Sequence, residues 1–221
     1  METIIKNKTQ VPEITTEQIF VNSDDSRNEE VYEQMDSVID SLKLHKSDAL
    51  HMKLLFEETV SMVKAITGDF TALVWAERYN DECWLRLMGK TKMDIDKKID
   101  LMSVSSTGEN AMAVGFMGKI KDIVETGLLT YDGVSKLQQK YNGYGFECDG
   151  PALSVGGVNP TSYSGFVWTM DEYKQDLNTK ESPQSEAYWD ELEKSIVASI
   201  AKNVIVGIEK NQMEMAIIMD I

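Results

Sequence analysis

Two stretches of this chain constrain its fold more than anything else in it. "FTALVWAERYNDECWLRLM", Phe70 to Met88, and "VIVGIEKNQMEMAIIMDI", Val204 to Ile221, each place two apolar runs around a short polar break. The breaks are "YNDE" and "EKNQ". Apolar, β-branched and aromatic runs bounded by turn residues read as strands, and two joined this closely read as a β-hairpin. A helical pattern precedes each hairpin, "EETVSMVKAITG" in one case and "EKSIVASIAKN" in the other. Residue identities do not repeat between the two units. The echo is one of supersecondary grammar, and by itself it does not establish a duplication. It does call for a sheet with helices laid on it. The expected class is α+β: a two-layer α/β sandwich, with a mixed or mostly antiparallel sheet of four or five strands on about three helices.

The remaining elements fill in this frame. Residues 1–14 read as an irregular arm, followed by a short strand at Ile19 to Val21. A first helix opens at "SRNEE", where Ser26 and Glu29 have capping-box spacing, and its stripe is Val31, Met35, Val38, Ile39 and Leu42. A second helix opens at "KSDALHMK" with Ser47 as cap and Asp48 at the positive end of the dipole. Its stripe is Met52, Leu55, Phe56, Met62, Val63 and Ile66, with Gly68 as the stop. A third helix follows Ser106 and Glu109, carries Met112, Phe116, Ile120 and Ile123 or Val124, and ends near Gly127. "FVWTM", Phe166 to Met170, reads as a strand, and "DEYKQDLNTKESPQ" as a polar connection. A last helix starts at Ser182 and Pro183, with Trp189, Leu192, Ile196 and Ile200 as its stripe. The expected organisation is a single domain over 1–221. Its core comprises about 16–129 and 165–221, and an insertion spans about 130–164. Within that insertion, 142–165 is Gly-rich and holds Pro151 and Pro160.

Charge narrows the functional classes. The formal net charge is −15, which repels nucleic-acid phosphates and anionic membranes. No apolar run has the length of a membrane span, and the N-terminal sequence lacks the basic and apolar regions of a signal peptide. Two widely spaced cysteines, Cys83 and Cys148, do not make a disulfide framework, so a cytoplasmic setting is expected.

Catalytic patterns are sparse. The two histidines, His45 and His51, do not share a helix face, and neither cysteine has a histidine near it in sequence. "MGKTK", Met88 to Lys92, lacks the upstream glycine of a phosphate loop. "DID", Asp94 to Asp96, is too short for a calcium loop. Attention therefore falls on "LLFEETVSMVKAITG", Leu54 to Gly68, with its adjacent acids Glu57 and Glu58. Glu58, Ser61, Met62 and Ala65 lie near one another at helical spacing, so Glu58 flanks the apolar stripe.

The order strand, helix, helix, hairpin, helix and "FEETVSM", Phe56 to Met62, resemble the Bergerat-fold ATPases (the GHKL group), most closely the anti-sigma-factor serine kinases. The resemblance covers about residues 16–126. It implies that Glu58 is the family's activating acid, and it puts Met62 where the family has a magnesium-binding Asn. A thioether cannot replace a hard oxygen donor. Only the lone Gly89 stands where the adenine-reading motif belongs, and "SSTGEN", with Gly108 and Asn110, stands for the lid. The resemblance thus implies a decayed nucleotide site, with Met62, Gly89, Gly108 and Asn110 as its cofactor-facing remnants and no metal ligand.

The expected function is a non-catalytic regulatory or interaction protein, partnered by a protein or by a second copy, without cofactor, nucleic acid or membrane. Two alternatives stand beside it. One is an active ATP- and magnesium-dependent serine kinase or ATPase, with Glu58 as base. The other is an unrelated α+β small-molecule-binding protein, with Tyr141, Tyr144, Phe146 and Tyr163 lining a site on the Gly-rich segment.

Overall fold

The computed structural model describes residues 5, 10–23, 28–66, 69–91, 116–129, 166–179, 183–209 and 212–221. Its strands are β1 (Ile14–Thr15), β2 (Ile19–Asn22), β3 (Phe70–Arg78), β4 (Glu82–Thr91), β5 (Phe166–Thr169), β6 (Asn203–Glu209) and β7 (Gln212–Asp220). Its helices are α1 (Asn28–Ser41), α2 (Lys46–Ala65), α3 (Phe116–Leu129), α4 (Met170–Thr179), α5 (Pro183–Glu193) and α6 (Ile196–Ile200). The strands form one sheet in the order β1-β3-β4-β7-β6-β5, with β2 also on the outer side of β3. Every pairing is antiparallel. The α+β sandwich with an antiparallel sheet is therefore as expected. The sheet is larger, with seven strands rather than four or five, and six helices are seen among the described residues rather than about three.

The sheet is symmetric about its centre. The two hairpins abut through β4 and β7, and each hairpin is flanked on its outer side by a short edge strand. A step of 130 residues carries the β3/β4 pair Trp75 and Arg86 onto the β6/β7 pair Ile205 and Ala216. Arg86 and Ala216 also face each other directly across β4/β7. An approximate two-fold axis thus passes between these two residues, normal to the sheet. The sequence echo between the hairpins is realised as two equivalent placements.

All six helices lie on one face. Cys83, Leu85 and Leu87 of β4 and Met213, Met215, Ile217 and Met219 of β7 point to that side, as the period-two alternation requires. They meet Val31, Met35, Val38, Ile39 and Leu42 of α1 and its end, and Met52, Leu55, Phe56, Val60, Met62 and Val63 of α2. Ile120, Ile123 and Val124 of α3 complete this wall. The stripes read from sequence for α1 and α2 are the buried ones, as are Phe116, Ile120, Ile123 and Val124 of α3, while Met112 lies outside the described residues. Thr59, fully buried on α2, satisfies its hydroxyl by donating to the Leu55 carbonyl at 2.8 Å.

Helix ends depart from expectation for local reasons. α2 begins one residue before Ser47, with the backbone of His45 in the N-cap position, while the Ser47 hydroxyl donates to Asp48 instead. Asp48 remains in the first turn, where the dipole favours it. The chain leaves α1 through Lys43 in the left-handed region, φ 53°, and Arg78 Nη1 donates to the Leu42 and Lys43 carbonyls at 2.9 Å each. α3 runs through Gly127 to Leu129. The expected single last helix is two, because Ser195 interrupts it. Its hydroxyl accepts from the Ala198 N–H and opens α6. The "polar connection" after β5 is α4, opened by a Thr169 cap whose Oγ1 accepts from the Glu172 N–H and donates to the Glu172 carboxylate. Ser26, Gly68, Ser106, Glu109, Ser182 and the Gly-rich segment 142–165 lie outside the described residues.

Candidate functional site

The residues selected from sequence occupy ordinary structural positions. Glu57 and Glu58 are both half-buried on the flank of α2, and neither forms a hydrogen bond or ion pair with a described residue. Met62, one turn on, is 4% exposed and packed in the helix-side core. Gly89 lies in mid-β4, paired with Ala72 and Met213. A Cβ built there would stand 2.2 Å from the Phe70 ring, so the glycine makes room for that ring. Gly108, Asn110, Cys148, Tyr141, Tyr144, Phe146 and Tyr163 lie outside the described residues. His45 and His51 are exposed. Cys83 is a free, buried thiol whose pKa burial pushes up to about 12, the opposite of what a nucleophile needs. Among the described residues no group of His, Cys, Asp or Glu is placed to hold a metal ion.

A denser arrangement lies on the other face of the sheet. Strand alternation puts Trp75 and Glu77 of β3, Trp84, Arg86 and Met88 of β4, Ile205 of β6, and Glu214, Ala216 and Ile218 of β7 there. Arg86 is 4% exposed and Glu214 fully buried. Register makes Glu77 and Glu214 diagonal neighbours of Arg86, one on each adjoining strand. Arg86 Nε donates to Glu77 Oε2 at 2.8 Å, and Arg86 Nη1 donates to Glu214 Oε1 at 2.7 Å. Its guanidinium lies 4.9 Å from the centre of the Trp84 ring, a cation–π contact. Glu77 also accepts from the Tyr79 hydroxyl at 2.8 Å and from Trp75 Nε1 at 3.1 Å.

The second-face cluster holds a piece of main chain. Ile5 donates its N–H to Glu214 Oε2 at 3.1 Å, and its carbonyl accepts from Arg86 Nη1 at 2.7 Å. Its side chain packs with Tyr79, Trp84, Ile205, Ala216 and Ile218. One acceptor and one donor thus serve both backbone groups of a single residue, as an adjoining strand would.

The electrostatics favour holding over proton transfer. Burial alone would lower the Arg86 pKa, but the charges of Glu77 and Glu214 outweigh it and hold the proton more tightly. Burial and the bond to Glu77 push the Tyr79 phenol up to about 12. The donors of Tyr79, Trp75 and Ile5 add to the guanidinium in hydrogen bonding the two carboxylates.

Sequence reasoning passed over this cluster, although a signal was present. "CWLRLM" and "MEMAIIM" each carry one charged residue, of opposite sign, inside an apolar strand. Two lone opposite charges at core positions of hairpins that must share a sheet are candidates for a buried pair.

No family model, curated protein or solved structure matches this chain.

Proposed function

We propose that this chain is a non-catalytic regulatory or interaction protein whose partner is another protein or a second copy of itself. The observation that carries the reading is the position of Met62. Its thioether is sealed in the apolar core, at the place where the resemblance to Bergerat-fold ATPases needs an oxygen donor open to magnesium. Gly89, the remnant of the adenine motif, is covered by Phe70. The resemblance itself rests on element order over β2, α1, α2, β3 and β4. Support for a binding role comes from the sheet margin. Phe20 of edge strand β2 is 51% exposed, and edge strands take added strands from partners.

The net charge of −15 makes nucleic acid an unfavourable partner. No helix among the described residues is long and apolar enough to cross a membrane. A cytoplasmic setting belongs to the same proposal, supported by the free thiol of Cys83.

Isothermal titration with ATP and magnesium tests the reading. The expected result is no saturable heat. A Kd tighter than about 1 mM, equivalent to roughly −4 kcal/mol, refutes the decayed site.

A further inference from the structure

We propose that the Arg86/Glu214 pair is a main-chain clamp for peptide, and that Ile5 is an intrachain ligand occupying it. The clamp takes a peptide with an aliphatic side chain. This rests on the interaction reading above and names the class of partner that reading requires: a protein segment that displaces Ile5.

Three features carry the inference. First, both main-chain bonds of Ile5 go to side chains, Glu214 Oε2 and Arg86 Nη1, and not to a strand. Side-chain clamps recognise backbone in any peptide of suitable conformation, because every residue but proline offers the same N–H and C=O. Second, the clamp is braced by side chains outside the peptide. Glu77 holds Arg86 through Nε, and is itself held by Tyr79 and Trp75. Arg86 also reaches Glu214 directly. A braced donor and acceptor lose little freedom on binding. Third, the seat is apolar. The Ile5 side chain shares one buried cluster with Ile205, Ala216, Ile218 and the Tyr79 and Trp84 rings, which touch each other at 5.5 Å and 55°.

The clamp also sits at the approximate two-fold axis, where Arg86 faces Ala216. The symmetry-related position of the Arg86 guanidinium is thus the methyl group of Ala216. That difference breaks the equivalence of the two halves at the one place where a peptide is held.

The test supplies the ligand in trans. A fluorescein-labelled synthetic peptide, METIIKNKTQ, is titrated into Ile5→Asp and wild-type protein, followed by fluorescence anisotropy. The expected result is saturable binding to Ile5→Asp, weaker by at least about ten-fold in wild type, since a tethered segment competes at millimolar effective concentration. A peptide carrying the same Ile5→Asp change does not bind. If Ile5→Asp fails to fold by circular dichroism, Ile5→Ala replaces it, with the same ordering expected. Equal binding to wild type and variant, or no binding to a folded variant, overturns the clamp. Failure here leaves the nucleotide titration untouched, and nucleotide binding there leaves the peptide result standing, so the two readings fail separately.

Discussion

Replacing Arg86 with methionine removes the guanidinium bonded to two carboxylates, Glu77 and Glu214. Arg86 is 4% exposed, Glu214 0% and Glu77 13% in their side chains. Methionine keeps contact with Trp84, so lost packing is a minor part of the effect. Glu77 keeps its bonds from Tyr79 and Trp75. Glu214 loses the guanidinium, and its charge stays out of water. Removing one partner of a buried pair costs about 3–5 kcal/mol. For a chain of this length each kcal/mol lowers Tm by roughly 2–4 °C, so the expected fall is about 6–20 °C. The double variant Arg86→Met/Glu214→Met removes the fully buried pair and leaves Glu77, which is 13% exposed and keeps its bonds from Tyr79 and Trp75. This variant should recover at least half of the loss, because desolvated charge, not missing contact, is the source. The assay is thermal and urea unfolding of wild type and both variants, followed by circular dichroism. A double variant no more stable than Arg86→Met alone refutes the reasoning.

Other outcomes follow from the same contacts. Gly89→Ala drives a Cβ against the buried Phe70 ring and should cost about 1–3 kcal/mol in urea unfolding, whereas Glu58→Ala should change stability by less than about 0.5 kcal/mol. Ser195→Ala removes the cap of α6 and should cost about 1 kcal/mol. The Tyr79 phenol, raised to about 12 by burial and Glu77, keeps its proton longer when folded than when unfolded. Its contribution is therefore complete below the unfolded value near 10 and is lost as pH rises toward 12. Stability measured from pH 9 to 12 should fall in wild type and fall less steeply in Tyr79→Phe. Burial chiefly raises the Glu172 carboxyl, so its contribution is present below the unfolded value near 4.3 and fades as pH rises. Glu172→Gln keeps the cap and should compare best with wild type near neutral pH, then lose ground on acidification.

The hairpins were legible because each needs only local evidence. Their apolar runs are long, their turns are short, and pairing across a hairpin follows from the turn. The stripes of α1 and α2 were legible for the same reason, since burial on one helix face leaves a 3.6-residue period. α4 was not, because only Met170, Tyr173 and Leu177 are buried in ten otherwise polar residues. The split at Ser195 was hidden because the spacing Leu192, Ile196, Ile200 runs across it, yet Ile196 is 45% exposed and Val197 is the residue buried there. β1 is two residues long and depends on β3 for its existence.

The second face was the least legible. β6 and β7 are buried along almost their whole length, so alternation, the usual sign of which side faces a core, is absent there. The pairing of Arg86 with Glu214 depends on β4 lying beside β7, a contact between residues 128 positions apart. The conspicuous acids of α2 proved less informative. Glu57 and Glu58 lie at the margin of the helix layer, while the acid held in a network is Glu214, the single charge in "MEMAIIM".

Amide hydrogen exchange at Ile5 bears most directly on the claim that this face holds main chain. In the wild type the Ile5 N–H is bonded to the buried Glu214 carboxylate, and it should exchange far more slowly than an unprotected amide in the same sequence. Glu214→Gln, which keeps shape and removes charge, should speed that exchange while amides of β3 and β4 stay protected. An Ile5 amide that exchanges at the unprotected rate in the wild type would contradict the account.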